Sequence, residues 1–352
     1  MDFSQVYSQY DFSKLEQEIK QLFPDWDLKF QDLFLSVLQG NGYESLKSAC
    51  NVFIDCLKNE MNGMKSVFVT ILLIGIISAV FISLTGIFEN HQVADYGFYF
   101  TYLILIIFLI KIFSEVFTIT QGVLENIVAF MKIFLPTYFL TIGAAGGTTA
   151  AIGYYQIFML AVFGVESLLA GVLVPLVGSY MILNIANGIW EEEKLELLTQ
   201  MISKSVRTIL KILITVVSGT GLLQAMIAPV IDTAKMTVMQ KSITAIPGLG
   251  ELAGSAAQVL LGSAVLIKNA MGVILLILLC AVCIIPLVKL FSIMAMLKGA
   301  AAIMGMVADK RMTNCANRAG DGVLLLFQTT LTALTFFVIL VSIIAFTMNR
   351  GF

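Results

Sequence analysis

Apolar residues fall in long unbroken runs along most of this chain. No charge occurs from Val67 to Phe88, nor from Gly322 to Met348. Runs of this kind reach the ~20 residues a helix needs to cross a bilayer. A transmembrane barrel needs short alternating strands instead. The pattern predicts spans at about 66–88 and 97–118, joined as an antiparallel hairpin by the short link Glu89–Gln92. An apolar stretch at 121–142 carries Glu125 and Lys132 and runs through Pro136 to GAAGG. Residues 148–190 contain a single charge, Glu166, and read as two spans with a tight turn near Glu166, Ser167 or Gly171. Glu191-Glu192-Glu193-Lys194 then opens a polar amphipathic segment, followed by a span at about 206–230. Residues 232–258 are too polar and glycine-rich for a lipid-facing helix. Beyond them the pattern predicts a span at 269–291, a methionine-rich helix at 292–307, a charged loop at 309–321 and a last span at 322–348.

Residues 1–62 differ in character. Phe12, Leu15, Ile19, Leu22 and Phe23 repeat at helical spacing before Pro24, and Phe30, Leu33, Phe34, Val37 and Leu38 repeat it before Gly40-Asn41-Gly42. A third stripe follows with Leu46, Val52, Phe53, Cys56 and Leu57. Three short amphipathic helices can form a small cap or lie flat on a bilayer. The expected class is an all-α, polytopic transmembrane bundle over 63–352 with a small helical N-terminal segment.

Composition supports that class: 59% of the 352 residues are apolar and 12% are charged, against roughly 25% charged in soluble domains. A net charge of −2 offers no basic surface for nucleic acid. The one histidine, His91, lies in a short polar break between two spans, so no Ser-His-Asp set is expected within the membrane, and H-E-x-x-H is absent. No enzyme, metal site or cofactor is therefore expected. Cys280 and Cys283 form a C-x-x-C deep in an apolar run, where they read as small packing residues. No basic n-region precedes an apolar stretch at the start, so no cleavable signal is expected. Lys194, Lys204, Arg207 and Lys211 mark 191–211 as cytoplasmic, and Lys310, Arg311 and Arg318 mark 309–321 the same way, with an outside C-terminus.

Shifting the chain by 111 residues aligns Pro136 with Pro247, Pro175 with Pro286, Gly143 with Gly254, Gly188 with Gly299 and Arg207 with Arg318. This offset suggests an internal repeat of 121–231 and 232–352 after a hairpin at 63–120. Each unit has a proline followed by glycines four apart, Gly143 with Gly147 and Gly250 with Gly254. Such spacing lets helix backbones approach closely in lipid, and the prolines would break or kink a helix. Paired broken segments point to a transporter-like site; tight packing with no ligand is the alternative. Polar or charged residues at such a site would be Thr148, Thr149, Glu166, Gln258, Lys268 and Asn269. The glycines of AIPGLGELAG (245–254) lack the Lys-Ser/Thr of a phosphate-binding loop.

The block TAKMTVMQKSITAIPGLGELAGSAAQVLLGSAVLIKNAMG (233–272) resembles the stage III sporulation protein AE family. So do IIPLVKLFSI (284–293), AAGGTTAA (144–151) and the order of spans. The resemblance implies an integral subunit of an assembly linking mother cell and forespore after engulfment, seated in the mother-cell membrane around the forespore. Implied partners are a secretion-type ATPase, ring-forming proteins, small membrane subunits and an Oxa-type insertase. It also implies that residues 1–62 are extracytoplasmic. A stand-alone permease with a substrate site between the repeats is the other reading.

Overall fold

The computed structural model describes residues 65–85, 91–142, 148–188, 194–243, 250–306 and 308–349. Side-chain surroundings are described there except at 81–95, 140–154, 220–271 and 345–349 and at positions 67, 78, 137, 281 and 282. The N-terminal amphipathic segment thus lies outside the described residues. Among those residues every regular element is helical: α1 (Lys65–Thr85), α2 (His91–Ile142), α3 (Thr148–Leu168), a π-helical turn (Leu169–Leu173), α4 (Val174–Asn187), α5 (Glu196–Ile243), α6 (Gly250–Met304) and α7 (Lys310–Asn349).

One buried stripe explains why α2 is a single 52-residue helix and not a span followed by a second segment. Phe98, Tyr102, Leu105, Leu109, Ile112, Val116, Thr120, Val123, Ile127, Phe130, Phe134 and Tyr138 are all buried. Steps of three and four keep them on one face. Pro136 lies inside this helix, so of the break or kink that the sequence suggested, the break does not occur. The missing N–H and the ring cost a helical bond locally, and the flanking Phe134, Leu135, Tyr138 and Phe139, all buried, hold the turn in place. Pro286 lies likewise inside α6, which joins the expected span at 269–291 and the methionine-rich helix into one 55-residue element.

No tight turn occurs near Glu166. The chain continues from α3 to α4 through the π-helical turn, where the Val174 N–H bonds back to the Leu169 carbonyl. Pro175 follows at the start of α4. Widening the helix by one residue absorbs the donor that proline lacks, so this apolar stretch bulges where a turn was expected.

α7 is the centre of the bundle and packs on α6, α5, α2 and α4. Met312, Ala316, Ala319, Val323, Leu326, Thr330, Ala333, Phe337, Leu340 and Ile344 are buried at strict four–three spacing, the 3.5-residue repeat of helices packed along their length. Its buried threonines stay satisfied within the helix: the Thr329 and Thr330 hydroxyls donate to the carbonyls of Leu325 and Leu326 at 2.9 and 3.0 Å. The expected loop at 309–321 is mostly helix, because Asp309 caps α7 by accepting the Arg311 N–H at 2.7 Å.

Four helical stretches are long and apolar enough to cross a membrane: Tyr96–Pro136, Tyr155–Asn187, Gly272–Met304 and Lys310–Ile344, counted among the described residues. At 1.5 Å per residue α2, α5 and α6 are ~72–83 Å long, against ~30 Å of hydrocarbon. Parts of these helices therefore lie beyond the lipid core. The sequence-derived boundaries after 120 and after 231 fall inside α2 and α5, away from any loop.

Candidate functional site: a polar seam at one end of the bundle

Parts of five helices, three of them at their ends, meet in a cluster of polar side chains. Asp309 starts α7, Glu196 sits in the first turn of α5, and α4 stops at Asn187. Acidic groups at helix N-termini are favoured by the free N–H groups and the helix dipole. The Asn187 Oδ1 accepts the Leu195 N–H at 2.8 Å, closing the connection from α4 to α5. Across the seam, Lys298 of α6 pairs with Asp321 of α7 at 2.7 Å, and Arg318 of α7 pairs with Glu196 of α5 at 3.8 Å. The Tyr102 hydroxyl of α2 donates to the Ile185 carbonyl of α4 at 3.2 Å. The Arg311 guanidinium lies 3.8 Å from the Phe98 ring centre, where a cation is attracted to the ring face.

Close approach makes these contacts possible. A Cβ at Gly188 would collide with the Tyr102 hydroxyl, and one at Gly320 would meet Lys298 Cγ at 2.8 Å. Tyr180 of α4 lies within electrostatic reach of Asp321, Arg318 and Arg207. Asn184 and Asn187 are buried on the same face; Asn184 Nδ2 donates to the Tyr180 carbonyl at 3.0 Å.

The seam can hold these helices in register through ion pairs and hydrogen bonds that cross their junctions. Among the described residues no group of three or more His, Cys, Asp or Glu side chains could hold a metal ion. The Lys298–Asp321 pair is only partly exposed, so a double-mutant cycle with Lys298→Ala and Asp321→Ala should give a coupling of about 0.5–1 kcal/mol in thermal unfolding. Strictly additive losses would mean the pair does not couple α6 to α7.

The proline and glycine elements singled out in the sequence do not gather in this seam. Pro136 is half-buried in α2 and Pro286 half-buried in α6, Pro175 is exposed on α4, and Glu166 is half-buried in α3. Gly143, Gly147 and Pro247 lie outside the described residues. Gly250 opens α6, Thr148 and Thr149 open α3, and Gly254, Gln258, Lys268 and Asn269 lie within α6, all without described side-chain surroundings. Sequence reasoning missed Tyr102, Asn184, Asn187, Glu196, Lys298 and Asp321. Two asparagines on one face of an otherwise apolar helix were the available signal, since uncompensated amides are costly there.

This fold and seam define an all-helical membrane protein whose helices are fastened at one end by charge pairs and hydrogen bonds. The family model described as stage III sporulation protein AE matches residues 28–347. The chain belongs to that family. It is 22% identical over 278 residues to stage III sporulation protein AE of Bacillus subtilis (strain 168), covering 78% of this chain and 69% of that protein. No solved structure matches.

Proposed function

We propose that this protein is a non-enzymatic, multi-pass subunit of the sporulation assembly connecting mother cell and forespore, held in the mother-cell membrane around the forespore. Family membership carries the reading, and the bundle is consistent with it. The seam brings the start of α5 to the start of α7 through Arg318 and Glu196, which supports a shared side for the two basic segments and an outside C-terminus. The order of helices also supports a repeat. A proline-bearing apolar run precedes a helix carrying the aligned arginine, first Pro175 with Arg207 and then Pro286 with Arg318.

In this role the seam anchors the cytoplasmic end, and the segments around 143–151 and 250–269 support or line the passage. The partners are the ATPase, ring-forming proteins and small membrane subunits of the assembly, with an Oxa-type insertase aiding membrane entry. Affinity isolation of the tagged full chain from sporulating cells should recover ring-forming proteins or the ATPase. Isolation of the chain free of all of them, under conditions that keep the other subunits together, rejects the proposal.

A further inference from the structure

The outward face of α2 carries a charge that no described residue balances. Ile107, Ile110, Lys111, Ser114, Glu115 and Thr118 line an open groove along this helix. Ile107 is 69% exposed and Ile110 51%. The groove lies within the candidate span Tyr96–Pro136, of whose most apolar window only 33% is buried, against 56% for α7. Among the described residues, nothing covers this side of α2.

Glu115 is matched already, by Lys289 of α6 at 3.2 Å. Lys111 is exposed one turn away, and among the described residues no carboxylate lies within ion-pair distance of it. Counted over the described residues, Lys111, Lys289 and Glu115 leave one excess positive charge on the face. An uncompensated charge in a membrane-spanning segment is costly, and such residues pair or face a polar path. A second copy of this chain brings the same excess cation and is disfavoured by like-charge repulsion. Backbone access is also generous: a Cβ on Gly122, two turns beyond Ser114, would meet nothing within 4 Å. Ser114, Thr118 and Gly122 are small residues four apart, a spacing that admits a helix more closely than a lipid chain requires.

We infer that this groove docks a transmembrane helix of another protein, one that presents a carboxylate at the depth of Lys111. The inference rests on the membrane reading of α2 and not on the sporulation assembly. Its test uses the isolated full chain, so its failure leaves the affinity experiment above untouched.

The probes are three labelled transmembrane peptides, a leucine–alanine helix with Glu, Gln or Lys at one central position. Energy transfer to the labelled full chain in neutral phosphatidylcholine vesicles reports association. The Glu helix is expected to associate at least ~10-fold more tightly than the Gln helix, a difference of about 1.4 kcal/mol. K111Q should erase that preference, and K111E should shift it to the Lys helix. Equal association of all three peptides overturns the proposal, as does a Glu preference that survives K111Q. Displacement of the Glu helix by phosphatidylglycerol at equal charge overturns it in favour of a lipid headgroup. Self-association of the chain in place of peptide binding overturns it in favour of a second copy.

Discussion

Gly188→Leu is expected to open the polar seam and destabilise the bundle by about 1–3 kcal/mol, the usual range for overpacking. At this position even a Cβ collides with the Tyr102 hydroxyl. The backbone dihedrals are ordinary, with φ −74°, so space and not conformation demands glycine. A leucine pushes α4 from α2, breaking the 3.2 Å bond from Tyr102 to the Ile185 carbonyl. Thermal unfolding of the purified protein in detergent reads the loss. Adding Tyr102→Ala should recover part of it, because that change removes the clashing atom. Unchanged stability in Gly188→Leu would mean that the two helices do not approach this closely.

Phe337→Ala is expected to cost more, about 3–5 kcal/mol, the range for truncating a large buried side chain. Phe337 is 1% exposed on α7 and belongs to the four–three stripe. Its ring also meets Phe336 edge-on, with centroids 5.2 Å apart, a geometry that adds to its packing. In lipid the loss is chiefly of packing contacts, since hydrocarbon offers little drive to bury one side chain more than another. Leu331→Ala on the same helix is the control: Leu331 is 41% exposed, and its truncation should change stability by no more than about 0.5 kcal/mol. Equal losses for the two variants would contradict the central position of α7.

The class of fold was legible because the signal is large and local. Runs such as Gly322–Met348 have the length of a span and no charge, and each satisfies its backbone groups only as a helix. Helix ends were less legible. Hydropathy alone separated 97–118 from 121–142, yet the buried stripe from Phe98 to Tyr138 passes straight through Glu115, Gln121 and Glu125. Charge on one face does not interrupt a helix whose other face is packed. The same reasoning failed at 309–321, where Asp309 starts a helix that the charges had marked as a loop. Proline was read as a break or a kink at Pro136, and the helix continues through it, because packing against buried neighbours outweighs one lost hydrogen bond.

The sequence by itself determined that this is an α-helical membrane protein, that its basic segments flank particular helices, and that it resembles one sporulation family. Those conclusions follow from composition, run length and motif, which need no knowledge of what touches what. Only the tertiary structure decided that Lys298 meets Asp321, that Arg318 meets Glu196, and that Tyr102 seats on α4 beside Gly188. It also left Lys111 facing outward beside a Glu115 already matched by Lys289. Residues 115 and 289 are distant in sequence, and charge pairing acts through space. No periodicity in the chain encodes which cation finds which carboxylate, so the seam and the open groove emerge only once the helices are packed.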